Sequence, residues 1–238
     1  MSRSARAVLF DFGGTLYDYE TLVPGDRESL MFLARLCGVE SDEATVHAAY
    51  RASIRRVFRD YLQRPFFHHR DMFRDATVGA MQALGGEAGT EHFEQYRERQ
   101  WELHRRDFRL REGVVETLGE LRRRGLALGI VSNIDDDQLR HLGELAGLAD
   151  HFDWLLSSEQ VESCKPDSKI FVEALRRAKC DPAEALFVGD SLPQDIAGAN
   201  RAGLRSVLLW HRPGTELPVG SEQPRHVIGK IPELLDLL

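Results

Sequence analysis

The first feature of the chain is a short, continuous apolar run near its N-terminus. Residues 7–10, Ala-Val-Leu-Phe, lead directly into Asp11, and the pair Gly13-Gly14 follows at once. An apolar run that ends close to a glycine pair is typical of a buried strand entering a tight turn. We therefore predict a strand at residues 7–10 with Asp11 at its carboxyl end.

From about Asp26 to Arg109 the apolar positions recur every three or four residues, which is the period of a helix. Gly38 and Gly85-Gly86 interrupt the pattern, and Ser41 is placed to cap the second helix. This stretch is therefore expected to be entirely helical, with roughly four helices. The four groups of apolar or aromatic positions are Leu30, Leu33 and Leu36; Val46, Tyr50, Ile54, Val57 and Tyr61; Phe73, Ala76, Ala80 and Leu84; and Phe93, Tyr96, Trp101 and His104.

After Arg111, short apolar runs alternate with helical patterns. The predicted strands are residues 126–131, 154–156, 185–188 and 206–209. Strands that are apolar throughout and alternate with helices predict a parallel sheet covered on both faces. Pro193 is expected to open a helix that ends at Gly203, and the Pro- and Gly-rich residues 211–224 are expected to form a loop.

The polar residues of interest follow these predicted strands. Ligands of open parallel sheets bind outside the carboxyl ends of the strands. Asp11 follows the first strand, Ser132 the second, and Asp190 comes just after residues 185–188, while Lys165 lies between a strand and a helix. We expect these side chains to share one edge of the sheet.

Four short segments carry these positions, and their combination resembles one known family. In this order they resemble the motifs of the haloacid dehalogenase (HAD) superfamily of phosphotransferases, in its phosphatase-like branch with an inserted helical (C1-type) cap. The resemblance covers nearly the whole chain. It implies an α/β fold, with a Rossmann-like doubly wound parallel sheet core at residues 1–18 and 110–238 and an all-helical cap domain at residues 19–109. The segments are Asp11-Phe-Gly-Gly-Thr-Leu16, Ser132-Asn133, Lys165-Pro166-Asp167 and Gly189-Asp190-Ser191-Leu-Pro-Gln-Asp195.

The resemblance also implies an activity: magnesium-dependent hydrolysis of a small phosphorylated metabolite through an aspartyl-phosphate on Asp11. A phosphate monoester dianion repels an anionic nucleophile, so the site must cancel charge while it aligns the reacting atoms. Lys165 is the second implied catalytic residue. The implied Mg²⁺ ligands are Asp11, Asp190, Asp195 and the backbone carbonyl of Gly13. The implied substrate-binding residues are Gly14, Thr15, Ser132, Asn133 and Lys165.

Each of these residues also has an ordinary structural explanation when it is taken alone. Ser132 is suited to cap the helix that follows it. Lys165 is of a type that usually lies in solvent, and Asp195 would be favoured by the dipole in the first turn of a helix. Their joint occurrence, in order and at strand ends, favours the catalytic interpretation.

Gly13 is the main departure from the family pattern. Most phosphatases of the family have an aspartate there, which acts as general acid and then as general base. The loss of such a group removes about 10²–10⁴ of rate. Three replacements are consistent with the sequence: a substrate whose leaving group needs no acid, a cap histidine (His68 or His69), or Asp18.

Charge and composition limit the partners. A formal net charge of −7 argues against a general nucleic-acid binder. Between Arg51 and Arg74, however, there are seven arginines and two acids. They form either a solvated helix face or a patch for an anionic substrate, for which Arg51, Arg55, Arg56 and Arg70 are the candidates.

The N-terminal apolar run has only four residues, which is too short for a secretory leader or a membrane span. Three widely spaced cysteines are typical of a reducing compartment. We therefore expect a cytoplasmic protein that acts on a small substrate and has no membrane or nucleic-acid partner. The sequence leaves the oligomeric state open.

Two other functions are alternatives. Carbon–halogen hydrolysis also uses an aspartate nucleophile without the second aspartate, but dehalogenases of the family typically have an aromatic residue at the position of Gly13 and need no metal. A non-catalytic or very slow member that binds a phosphorylated ligand is the other alternative. Asp190 and Asp195 favour a cation site, and hence a phosphatase over a dehalogenase.

Overall fold

The computed structural model describes residues 4–211 and 222–238. The chain divides into two compact units. The helical unit is Tyr19–Phe108, and the sheet unit is built from the residues before and after it. The role of the helical unit as a cap stays a prediction.

The helical unit contains four α-helices, as the apolar spacing predicts: α1 (Val23–Leu36), α2 (Glu43–Tyr61), α3 (His69–Ala83) and α4 (Thr90–Asp107). Their apolar faces form one core that includes Leu33, Met81 and Phe93. The cap of α2 is Asp42, whose side chain accepts a hydrogen bond from the Thr45 backbone N–H at 2.8 Å. The prediction of Ser41 as the cap is therefore wrong by one residue.

The sheet unit has six parallel strands among the described residues: β1 (Ala7–Phe10), β2 (Ala127–Ser132), β3 (Trp154–Ser157), β4 (Ala185–Gly189), β5 (Arg205–Leu209) and β6 (His226–Ile228). Their order across the sheet is β3-β2-β1-β4-β5-β6. The chain builds outward from β1 in one direction and from β4 in the other, which is the doubly wound arrangement. The predicted Rossmann-like α/β class is confirmed.

The helices of the sheet unit are α5 (Val114–Arg123), α6 (Asp136–Leu145), α7 (Ser158–Val161), α8 (Ser168–Ala178) and α9 (Ala197–Arg201). Every residue of β1, β4 and β5 is buried. Strands covered on both faces are mostly apolar, which explains the continuous runs in the sequence. Leu9, Leu156 and Phe187 of the sheet form a core with Phe171 of α8.

Three features of the sheet unit differ from the sequence predictions or extend them. The segment opened by Pro193 is a π-type turn, Leu192–Ile196, before α9 begins. Strand β6 and a final 3₁₀ segment, Ile231–Leu237, are additions that the apolar pattern does not predict. Most of the loop predicted at residues 211–224 lies outside the described residues.

Two further observations bear on composition. Among the described helices, none is both long enough and apolar enough to cross a membrane. Cys37, Cys164 and Cys180 are free thiols.

Candidate active site

The carboxyl ends of β1, β2 and β4 bring the predicted site residues together. Asp11 directly follows β1, and its backbone N–H donates to the Val188 carbonyl of β4 at 2.8 Å. Ser132 is the last residue of β2, and Asp190 directly follows β4. Parallel strands end at one edge of the sheet, so residues far apart in sequence converge there.

Lys165 lies at the centre of this group. Its Nζ donates to Asp11 Oδ1 at 2.6 Å and to Asp195 Oδ1 at 2.7 Å, and its side chain is 1% exposed. The Phe187 ring lies beneath the ammonium group, 5.3 Å from Nζ to the ring centroid. The alternative of a solvated surface lysine is therefore wrong.

Two hydroxyl groups hold the Asp11 carboxylate. Ser132 Oγ donates to Asp11 Oδ1 at 3.3 Å, and Thr15 Oγ1 donates to Asp11 Oδ2 at 3.1 Å. The Thr15 hydroxyl is also 3.5 Å from Asp190 Oδ1, so its single proton can serve either carboxylate. The residue that caps α6 is Asp135, which excludes Ser132 as the cap of that helix.

Two glycines allow the acidic side chains to lie against the main chain. Gly14 has a φ of +84°, and a Cβ at this position would lie 2.4 Å from Asp190 Oδ2. A Cβ at Gly189 would lie 2.4 Å from the carboxyl carbon of Asp195. Asp195 is further fixed by the Ser191 backbone N–H, which donates to its Oδ2 at 3.0 Å. No larger residue fits at either glycine without displacing a carboxylate.

Asn133 holds Lys165 through the main chain. Its Nδ2 donates to the Lys165 carbonyl at 2.9 Å, and its Oδ1 accepts from the Lys165 backbone N–H at 2.6 Å. These two bonds join the loop after β2 to the loop before α8. Both polar ends of the amide are thus engaged with Lys165.

Arg111 holds the turn after β1, and sequence reasoning missed this role. Its Nε and Nη2 donate to the Gly14 carbonyl at 3.2 and 2.8 Å, and its Nη1 donates to Asp18 Oδ2 at 3.0 Å. The Arg111 backbone N–H also donates to the Leu16 carbonyl at 2.9 Å. No sequence motif indicates the role of this arginine. Its position, where the chain returns to the sheet unit, is the only feature of the sequence that points to it.

The remaining predicted residues lie as follows. The main chain of Gly13 pairs with Tyr17 in an isolated bridge, and its role as a metal ligand stays a prediction. His68 and His69 belong to the helical unit, where His68 Nδ1 lies 3.4 Å from Arg70 Nη2. Their role in proton transfer is likewise untested.

Burial and crowding of charge perturb the acids. Burial, followed by the nearby Asp11 and Asp195 carboxylates, raises the pKa of Asp190 to about 7. Burial also raises the pKa of Asp195, although Lys165 opposes this change. Burial lowers the pKa of Lys165, but Asp11 and Asp195 outweigh it and the net effect raises that pKa to about 12. The lysine therefore stays charged at neutral pH.

The donor set fits a divalent cation. Asp11, Asp190 and Asp195 each offer a carboxylate oxygen, and these oxygens lie within 4.8 Å of one another. Burial, followed by repulsion from Asp11 and Asp195 that the single Lys165 ammonium does not cancel, raises the pKa of Asp190, so this carboxyl keeps a proton more readily than an ordinary one. A hard cation with oxygen ligands would remove this repulsion.

Comparisons with known proteins are in accord with this geometry. The family model described as "Hydrolase: haloacid dehalogenase-like hydrolase" matches residues 5–203. The chain is 30% identical to a ribulose-1,5-bisphosphate 5-phosphatase of Halopiger xanaduensis, over 98% of this chain and 99% of that protein.

Two solved structures have the same fold at low identity. The magnesium-bound HAD-hydrolase YfnB from Bacillus subtilis has a TM-score of 0.78 at 23% identity and covers 99% of each chain. The L-2-haloacid dehalogenase from Xanthobacter autotrophicus has a TM-score of 0.75 at 20% identity and covers 98% of each chain. The fold alone is therefore shared by proteins of different named activities.

Proposed function

Because this chain belongs to the haloacid dehalogenase-like hydrolase family, we propose that it is a magnesium-dependent phosphatase of small phosphorylated metabolites. In this proposal Asp11 is the nucleophile and forms an aspartyl-phosphate, which water then hydrolyses. The main support is one contact set: the buried Lys165 ammonium bridges Asp11 and Asp195, with Asp190 beside them.

The proposed attack needs an ionised Asp11 in line with phosphorus. Lys165 donates a hydrogen bond to Asp11 Oδ1 and supplies positive charge for the phosphoryl oxygens. Ser132 and Thr15 hold the two carboxylate oxygens at fixed positions, so little reorientation is needed at the moment of reaction. Together with Gly14, these residues are the proposed binding site for the phosphoryl group.

Asp11, Asp190, Asp195 and the Gly13 carbonyl are the proposed ligands of Mg²⁺. When bound, this ion would neutralise the charge that spreads over the phosphoryl group. The raised pKa of Asp190 supports a cation here, because a proton otherwise takes that place. We assign Asn133 a positioning role rather than substrate binding, since its amide holds the main chain of Lys165.

Because residue 13 is a glycine, the leaving group lacks the general acid that most phosphatases of the family provide. Asp18, one proposed replacement, is ion-paired with Arg111 at 3.0 Å and would have to leave this contact to act. We therefore favour a substrate whose leaving group departs without strong acid assistance. The named activity of the Halopiger xanaduensis relative supports a phosphorylated metabolite as the substrate class.

The test is a panel of phosphorylated metabolites assayed for phosphate release with Mg²⁺ and with a chelator. We expect Mg²⁺-dependent release that Asp11→Asn abolishes and that Asp150→Asn, a matched change at an exposed acid, leaves intact. Hydrolysis that persists in Asp11→Asn would contradict the proposed nucleophile. Halide release from 2-haloacids in the presence of chelator would instead identify a dehalogenase.

A further inference from the structure

The first residue of β5, Arg205, is a buried arginine whose side chain has donors without acceptors. Only 8% of the residue is exposed. Its Nε and Nη2 have no hydrogen-bond partner in the part of the chain that the structure describes, and neither atom is open to solvent. A buried, charged donor without an acceptor is costly, because it loses the hydrogen bonds that it makes with water in the unfolded chain. Arg205 therefore indicates an acceptor that the described residues do not supply.

The two donors of Arg205 lie on one edge of the guanidinium plane. Two oxygens bonded to a single atom accept from such an edge at the same time, as in arginine–carboxylate and arginine–phosphate pairs. Arg176 of α8 shows this geometry within the chain, because its Nε and Nη2 donate to the two oxygens of Glu173 at 2.7 and 2.8 Å. Arg205 presents the same pair of donors without a carboxylate among residues 4–211 and 222–238.

Arg225 and His226 bring further basic groups to the same place. The Arg225 backbone N–H donates to the Ser206 carbonyl at 3.1 Å, so this residue lies beside the start of β5. His226 is in register with Val207, and alternate residues of a strand share a face, so His226 lies on the face of the sheet that carries Arg205. Arg225 is exposed and has no ion-pair partner within the described ranges.

These groups repel one another. Burial, followed by the charge of Arg225, lowers the pKa of Arg205. Burial, followed by the charges of Arg225 and Arg205, also lowers the pKa of His226. Both shifts are in the direction that like charges produce when no nearby acid offsets them. An anion bound between the two arginines would relieve both the repulsion and the missing hydrogen bonds.

We propose that Arg205, Arg225 and His226 bind a small oxyanion of the phosphate class, and we call these residues the oxyanion cluster. Arg205 supplies the paired donors, Arg225 a second positive charge and His226 a ring N–H. Two arginines neutralise a dianion more fully than a monocarboxylate, which favours phosphate or sulfate over acetate. The net charge of −7 is spread over the whole chain and is screened beyond about 8 Å at physiological salt, so the adjacent cations dominate.

The oxyanion cluster is separate from the candidate active site. Arg205 begins β5 at the amino edge of the sheet, whereas Asp11 and Asp190 follow the carboxyl ends of their strands. The four residue steps of β5 correspond to about 13 Å along the strand. An anion in the cluster is therefore not the phosphoryl group of the proposed reaction, and its binding can be measured without an enzymatic assay.

Thermal unfolding of the full chain with a chelator present tests the proposal. Sodium phosphate and sodium sulfate should raise Tm relative to chloride at equal ionic strength, because a ligand of the folded form stabilises it. Acetate should raise it less. In Arg205→Met the anion affinity derived from these shifts should fall about tenfold or more, and Arg205→Lys, which keeps the charge but not the paired donors, should bind with intermediate affinity. Arg140→Met, at an exposed arginine of α6, should respond as the wild type does.

Arg225→Met keeps the test decisive if Arg205→Met folds poorly, because Arg225 is exposed and its loss should leave the fold intact. This variant should also bind phosphate more weakly. A local measurement is the NMR signal of the His226 ring, assigned with His226→Gln. At constant pH, phosphate should shift this signal in the wild type and in Asp11→Asn, but not in Arg205→Met.

Four results would overturn the proposal. The first is a Tm that responds to phosphate no more than to chloride, and the second is an equal response in the wild type and both methionine variants. The third is an increase in Tm without a shift of the His226 signal, or one lost in Asp11→Asn, which would place the anion elsewhere. The fourth is acetate as effective as phosphate, which would exclude the phosphate class.

Discussion

Lys165 supplies the positive charge that partly neutralises the carboxylates of the site. It is buried with two carboxylates at hydrogen-bond distance, and a third lies close to both of them. Removing one partner of a buried ion pair leaves an uncompensated charge, which costs about 3–5 kcal/mol. The same side chain is thus both a structural and a proposed catalytic element.

We predict that Lys165→Met lowers the free energy of unfolding and lowers kcat by about 10²–10³ where activity is measurable. The methionine keeps much of the volume but removes the charge. Since the remaining carboxylates then favour protonation, the loss of stability should be smaller at about pH 5 than at about pH 8. Thermal unfolding at both pH values checks this, and an equal loss at both would contradict it.

Gly14 offers a second prediction at this scale. In Gly14→Ala the new Cβ would collide with Asp190 Oδ2 at 2.4 Å, in addition to the strain of a φ of +84°. We expect a clear loss of Mg²⁺ affinity in isothermal titration calorimetry. Gly38→Ala is the matched control, because Gly38 has a φ of +69° but a Cβ at that position would meet nothing within 4 Å.

Both glycine variants should lose stability of about 1 kcal/mol or more from backbone strain. Only Gly14→Ala should also lose metal affinity. Equal Mg²⁺ affinity in the two variants would mean that Asp190 does not contribute to the metal site.

The turn between β1 and the helical unit is the element that joins the nucleophile to the rest of the site. The Leu16 backbone N–H donates to the Phe12 carbonyl at 2.8 Å, and the Gly14 N–H donates to the Tyr17 carbonyl at 3.0 Å. Arg111 adds a fork of hydrogen bonds to the Gly14 carbonyl. The turn is therefore held both by its own main-chain hydrogen bonds and by Arg111, although it contains two consecutive glycines.

Gly13 is the position in this turn where most phosphatases of the family have an aspartate. It is not among the glycines with positive φ, so an L-residue can adopt its backbone conformation. We predict that Gly13→Asp raises the hydrolysis of alkyl phosphates, which have poor leaving groups, by up to about 10²–10⁴. Aryl phosphates, whose leaving groups need little acid assistance, should change much less.

Gly13→Asn is the control for this prediction, because it has a similar size but no exchangeable acid proton of suitable pKa. The ratio of alkyl to aryl phosphate turnover should rise with aspartate and not with asparagine. An equal rise with both residues would point to a change of the turn rather than to proton transfer.

For the molecule as a whole, the sequence predicts most of what depends on strand ends. Asp11, Ser132 and Asp190 converge as expected because parallel strands finish at one edge. Strand β6 is not predicted from the sequence, because it has only three residues and no continuous apolar run. Its central residue, Val227, is 48% exposed. Arg111 and the amide of Asn133 act on main-chain carbonyl and N–H groups, and such contacts leave no pattern in the sequence.

The proposed metal site also links the stability of the whole fold to pH. Burial and the neighbouring carboxylates raise the pKa of Asp190 from an ordinary value near 3.8 to about 7 when no cation is bound. A raised carboxyl pKa means that the folded chain binds this proton more tightly than the unfolded chain does. Between about pH 4 and pH 7, the contribution of Asp190 therefore lowers the free energy of unfolding as pH rises.

We expect Mg²⁺ to take the place of this proton, so its stabilising effect should increase across the same interval. A ligand present at about 100 times its Kd adds about 2.7 kcal/mol to the free energy of unfolding. The apparent Kd for Mg²⁺ should fall as Asp190 ionises. Thermal unfolding with and without Mg²⁺ should thus show a larger increase in Tm at about pH 8 than at about pH 5.5. The ion pairs of Glu173 with Arg176 and Arg177 lower the pKa of that glutamate from 4.5 to about 2, so their contribution to stability is constant above about pH 5 and is lost only as pH falls below that value. Asp190→Asn should remove most of the pH dependence of the Mg²⁺ effect, and an increase in Tm that is equal at the two pH values in the wild type would show that no proton is exchanged for the metal.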